Sequence, residues 1–212
     1  MPRITLLTLV LLVASVSAGS SSMTGVCDGA PLTVGQWARY EFDGFGNVTM
    51  TARYAIVGTE PVAGVEHYWL EFEVPLPMGN SSMIFKLLIP GWPYEPDSVR
   101  RAVMKMGTDV PAMEAPPGTV MSMAKDNLSD PILLACAEDE ATPDSVTVPS
   151  GTFTATRTSP RSYGKDVWIS SAVPFGLVKT AEPNGQGLRL LEFGTGAESG
   201  ITETPQRMPG GP

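Results

Sequence analysis

Between Val146 and Phe193 the chain runs VTVPSGTFTATRT, KDVWISSAVPFGLVK and GLRLLEFG: short alternating segments, rich in β-branched and aromatic residues, divided by turn residues. Alternation with a period of two is the signature of a strand, so this stretch commits the chain to a sheet. Phe153, Ala155 and Arg157 fall on one face, with Thr152, Thr154, Thr156 and Thr158 on the other, which reads as a wet, hydroxyl-lined surface. Trp168 sits between Val167 and Ile169, so both faces of that strand carry apolar bulk and it belongs inside the sheet. Pro174 ends the segment because it cannot donate to a ladder, and Gly176 lets the chain turn before Leu177-Val178. Pro183-Asn184-Gly185 is a hairpin signal ahead of Leu188–Phe193.

The amino-terminal half repeats the pattern. Ala38, Tyr40 and Phe42 share a face before the turn Asp43–Asn47. Val48, Met50, Ala52, Tyr54 and Ile56 alternate with polar or small residues, and 58–65 reads as a loop. Tyr68, Leu70, Phe72 and Val74 then oppose Trp69, Glu71 and Glu73, a greasy face against an acidic one. Met83–Ile89 is apolar on both faces apart from Lys86, as expected where one side meets core and the other a cavity or cover.

The middle is harder to assign. Val99, Ala102, Val103 and Met106 fit a helix opened by Pro96, while Ala102, Met104 and Met106 alternate as in a strand. Pro111, Pro116 and Pro117 predict irregular chain over 109–118. Thr119–Leu128 and Pro131–Ala137 are candidate covering helices, and Pro205, Pro209 and Pro212 with the glycines between them predict a disordered tail over 205–212.

The run VPSGTF, VWIS, VPFGLVK, LRLLEFG and GTGAESGI resembles the carboxy-terminal half of secreted bacterial proteins similar to the lipoprotein-carrier superfamily, the LolA/LolB-like fold. The resemblance implies a mostly β domain with minor α: a strongly curved antiparallel sheet, an unclosed β-barrel, with one or two short covering helices and an apolar cavity beneath them. It also tips Pro96–Met106 toward a strand, because the resembling proteins continue their sheet there. The carriers' cavity arginine has no matching position here.

Arg3, the apolar run Ile4–Val13 and the small residues Val16-Ser17-Ala18 have the form of a signal peptide over 1–18, too short to span a bilayer. The expected domain is then 19–204, periplasmic or secreted and not integral to the membrane. The net charge of −8 has the wrong sign for nucleic acid. Cys27 and Cys136 are the two cysteines, and in an oxidising compartment they are expected to pair. A lipid anchor on Cys27 is the alternative, which Thr24-Gly25-Val26 fits poorly as a lipobox.

Eleven methionines are many for this length, and Met104, Met106, Met113, Met121 and Met123 crowd into the middle. They allow three readings: a thioether site for Cu(I), an adaptable apolar lining, or ordinary core. His67 is the single histidine, placed on the parity of Glu71 and Glu73, which reads as solvent-facing. Any Ser-His-Asp relay would need it, and no G-x-S-x-G elbow occurs. Glu71 and Glu73 form a same-face carboxylate pair or a solvated strand face, and Glu138-Asp139-Glu140 is a loop charge cluster without an EF-hand pattern. Arg100-Arg101 can hold an anion at a cavity mouth or lie exposed.

No catalytic residue, cofactor or metal site is expected. The expected function is non-enzymatic: an apolar small molecule, lipid or acyl chain held by Phe85, Leu87, Met104, Met106, Met121 and Met123, with Arg101 at its head. The alternative is a structural or interaction protein of the cell envelope, with a protein partner and no small ligand.

Overall fold

The structure is a computed structural model that describes residues 24–43, 49–76, 81–119, 129–138 and 140–207. Twelve strands among the described residues form one sheet. They are β1 (Trp37–Asp43), β2 (Thr49–Val62), β3 (Val65–Pro75), β4 (Ser82–Ile89), β5 (Arg101–Met106) and β6 (Met113–Ala115). The second half supplies β7 (Thr142–Val148), β8 (Gly151–Thr158), β9 (Asp166–Ile169), β10 (Leu177–Ala181), β11 (Leu188–Gly194) and β12 (Gln206–Arg207). The spatial order is β12-β6-β5-β4-β3-β2-β1-β11-β10-β9-β8-β7, antiparallel except for the parallel β12–β6 pair, and the two edges do not close. The strands expected from the alternation, and the mostly β, unclosed sheet that the resemblance implies, are therefore present.

The two halves join where β1 pairs with β11, Tyr40 opposite Leu190 and Phe42 opposite Leu188. The sheet bends round its inner face, and contacts across that face record the curvature. The Tyr40 hydroxyl on β1 donates to the Leu177 carbonyl on β10 at 3.0 Å, and Trp92, after β4, donates from Nε1 to the Phe175 carbonyl at 2.8 Å. Burial pushes the Tyr40 hydroxyl pKa well above its ordinary range.

Two short helices, α1 (Thr24–Cys27) and α2 (Ser129–Cys136), lie against one end of the inner face. Ile132 and Ala135 of α2 and Val26 of α1 are buried in the main core, and Cys27 and Cys136 are joined by a disulfide with a Cα separation of 5.5 Å. Pro131 lies in the first turn of α2, where its missing N–H costs nothing. The Ser129 hydroxyl ties this helix down by accepting from the Tyr94 N–H and donating to its carbonyl. Gly176 allows α1 to approach: a Cβ there would sit 2.5 Å from Val26 Cγ1, and its φ of +75° already favours glycine.

Several expectations need correction. Residues 58–65 are strand rather than loop, because β2 and β3 are joined by the two-residue turn Ala63-Gly64 with φ of 51° and 82°, the left-handed pair a tight hairpin requires. The proline-rich stretch 109–118 contributes β6, whose ladder falls between the prolines. The tail is ordered through Arg207, since Gln206 and Arg207 pair beside β6. Pro96–Ser98 is one 3₁₀ turn and 101–106 is strand. The threonine face of β8 is wet only at Thr152 and Thr154, while Thr156 and Thr158 are buried. Thr158 shares a cleft with Ala137 and Glu138 after α2, so curvature covers one end of a face that the strand period alone assigns to water. The expected leader, 1–18, and residues 120–128 of the expected covering helix Thr119–Leu128 lie outside the described residues, and Met121 and Met123 with them.

Candidate functional site

The inner face is a continuous ladder across β1–β6. Phe42 opposes Met50, Tyr54 opposes Phe72, Phe72 opposes Phe85, Phe85 opposes Met104 and Met104 opposes Met113. Two residues along in either direction, Leu87 opposes Ala102 and Met83 opposes Met106. Phe85, Leu87, Met104 and Met106, expected as ligand-lining residues, therefore share one face and one neighbourhood.

Burial along this face is graded. Toward the end covered by α1 and α2, Ile56, Leu70, Leu87, Ile89, Ala102 and Ala115 are buried. An aromatic group fills the space above them: Trp92 meets Phe175 at 5.1 Å between ring centroids, and Phe175 meets Tyr54 at 6.5 Å. Toward the other end, Phe42, Phe72, Val74, Met83, Met113 and Leu188 are half-buried against the same core, and Met106 is 45% exposed. The antiparallel order gathers these residues from alternate strand starts and finishes into one apolar rim. Among the described residues the half-barrel is thus plugged at one end and less covered at the other.

Arg101 does not join this rim. Alternation sends it to the outer face, where it stacks over Trp69 at 5.3 Å, donates from Nη1 to both Glu60 oxygens at 2.9 and 3.0 Å, and donates from Nε to Glu114 at 2.7 Å. The guanidinium bond in turn holds the Glu114 carboxyl below its ordinary pKa.

Glu71 and Glu73 share the outer face but not a site. Glu73 faces Arg53 at 3.7 Å, whereas Glu71 is fully buried beneath the segment that follows β11. Its oxygens accept from the Ser199 hydroxyl at 2.7 Å and the Gly200 N–H at 2.9 Å, and Lys86 Nζ reaches the same Ser199 at 3.1 Å. Burial lowers the Lys86 pKa and the Glu71 charge raises it. Beside this latch Ile201 packs on Ile84, Val103 and Ala112, and Lys105 pairs with Glu203 at 2.6 Å. The second apolar face of β4 is therefore roofed by residues 199–203, a long-range cover that strand periodicity does not announce. Replacing Glu71 with leucine is expected to cost about 1–3 kcal/mol, since it removes a buried carboxylate that accepts from the half-buried Ser199 hydroxyl and from the Gly200 N–H. Limited proteolysis should then cut within 195–203 faster than in the unaltered chain, and unchanged cleavage there would remove the latch role.

His67 is also buried rather than solvent-facing, with Nδ1 3.0 Å from the Val65 carbonyl. A separate polar cleft of about 500 Å³ lies on the strands at the other side of the sheet order, lined by Glu138, Glu140, Arg157, Thr158, Ser159 and Arg161. Arg157 there is engaged by Asp166 at 2.5 Å. Among the described residues no group of three or more His, Cys, Asp or Glu is placed to hold a metal, and no helix is long and apolar enough to cross a membrane. The disulfide is compatible with a protein outside the cytoplasm.

No protein-family model matches the chain, and neither the curated proteins nor the solved structures contain a match to it. The function must then be read from the open rim itself. Its lining offers hydrocarbon and thioether surface, and the charged side chains of β4 and β5, Lys86, Arg101 and Lys105, belong to the opposite face.

Proposed function

We propose that the protein is a non-enzymatic periplasmic or secreted binding protein of LolA/LolB-like type, which holds an acyl chain or similar apolar group at the open end of its half-barrel. The observation that carries this reading is the burial gradient along one uninterrupted apolar face, closed at the α1–α2 end and half-exposed from Phe42 to Met113. Binding by such a surface comes from apolar burial, about 25 cal/mol per Å² before ordering costs. Unbranched methionines beside fixed aromatic rings can repack around chains of differing shape. A signal peptide over 1–18 and the Cys27–Cys136 disulfide belong together in this reading.

Native mass spectrometry with lipid extraction should reveal a co-purifying apolar molecule, and a fluorescent fatty-acid probe should bind saturably. Val74→Asp puts a charge on the half-exposed rim and is expected to weaken probe binding about tenfold or more, because burying that carboxylate under a hydrocarbon chain costs upwards of about 1.4 kcal/mol. Thr152→Asp, on exposed β8, should leave it unchanged. If no apolar molecule is extracted and no saturable binding is seen, the carrier reading falls and an envelope interaction protein takes its place.

A further inference from the structure

Four methionines from three strands share the inner face of β4, β5 and β6. Met83 lies directly opposite Met106, and Met104 directly opposite Met113. Met104 and Met106 are two residues apart on β5 and so share a face. Directly opposed residues bring their Cβ atoms to about 4.5–5.5 Å, and same-face neighbours along a strand lie about 7 Å apart. The four flexible side chains thus form a staggered row across three strands, with Met83 and Met113 on either side of the adjacent pair Met104 and Met106 on β5.

The surroundings suit a soft cation. Met104 is nearly buried, Met83 and Met113 are half-buried and Met106 is open, so the patch has a floor and an entrance. Phe85, stacked on Phe72 at 5.9 Å between centroids, lies directly opposite Met104 and lends the patch an aromatic border. The nearby cationic side chains Lys86, Arg101 and Lys105 belong to the opposite face, and the last two are paired with carboxylates there. Both cysteines are committed to the disulfide, leaving thioethers as the sulfur ligands. Neutral thioethers are poor partners for hard divalent ions and select soft monovalent ones.

We propose that Met83, Met104, Met106 and Met113 form a binding site for Cu(I). The site shares the open rim with an apolar ligand but depends on sulfur rather than on hydrocarbon, and that difference makes the two separable. Leucine in place of methionine conserves volume and apolar surface while removing the ligand atom, a swap that cores tolerate.

Cu(I), delivered anaerobically and competed against a bathocuproine chelator, should bind as one equivalent with a sulfur-only coordination shell in X-ray absorption. Met106→Leu is expected to weaken binding about tenfold and the quadruple leucine variant about a hundredfold or more, while Met50→Leu, on the same face but beyond β3, should leave the curve unchanged. The double variant Met104→Leu/Met106→Leu serves if the quadruple variant does not fold. A leucine variant that retains native circular dichroism and unaltered Cu(I) affinity overturns the site, as does a shell of nitrogen or oxygen. A chain that binds the fatty-acid probe but not Cu(I) overturns this inference alone. One that binds Cu(I) and no probe supports it and removes the carrier reading.

Discussion

Replacing Cys27 and Cys136 with alanine is expected to lower stability by about 4–5 kcal/mol, the chain-entropy value for opening a loop whose ends are 109 residues apart. For a chain of this size the midpoint of thermal unfolding should fall on the order of 10 °C or more. The reason lies in what the bond holds. α1, described from Thr24 to Cys27, carries Val26, which is buried against Gly176. α2 brings Ile132 and Ala135 to the same end of the core. The disulfide joins these two pieces, which sit on the inner face without belonging to the sheet. Denaturant melts of the oxidised wild type, the reduced wild type and the double variant measure the effect. Identical midpoints would show that the plug holds without its tether.

The second large effect is expected at Trp92. It is 2% exposed, among the largest fully enclosed side chains, and lies in the connection between β4 and β5. Its ring packs edge-on to Phe175 and tilted on Tyr94, and its Nε1 supplies the hydrogen bond to the Phe175 carbonyl. Trp92→Ala removes that bulk and leaves the carbonyl without its donor, a loss of about 3–5 kcal/mol from the cavity alone. Trp92→Phe keeps much of the ring and should lose about 1–2 kcal/mol, mainly the hydrogen bond. Urea titration followed by near-ultraviolet circular dichroism separates the two. A similar small loss for both would mean that the aromatic group does not hold the halves together.

These predictions concern the closed end of the half-barrel, and the proposed sites concern the open one. The division follows from the same ladder. Residues such as Leu70 and Leu87 have helices, loops and aromatic rings above them, whereas Phe72 and Met83, on the same strands, have less cover. Stability and the proposed binding surface are thus drawn from one apolar face, at different heights.

The alternation of Ala38-Tyr40-Phe42, Tyr54-Ile56 and Leu70-Phe72-Val74 determined by itself that strands would form and which side chains would share a face, because side-chain direction along a strand is a local property of the backbone. The pairing of Cys27 with Cys136 was legible for a different reason, there being no other partner for either. What only the tertiary structure decided was which faces are covered. Glu71 and His67 carry the alternation of wet residues and are nonetheless buried; in the case of Glu71 the cover is a segment more than a hundred residues away. Arg101 sits beside methionines in sequence and opposite them in space, since one step along a strand reverses the face. The gathering of Met83, Met104, Met106 and Met113 likewise depends on strand order and register, which arise from long-range pairing and have no local signature in the chain.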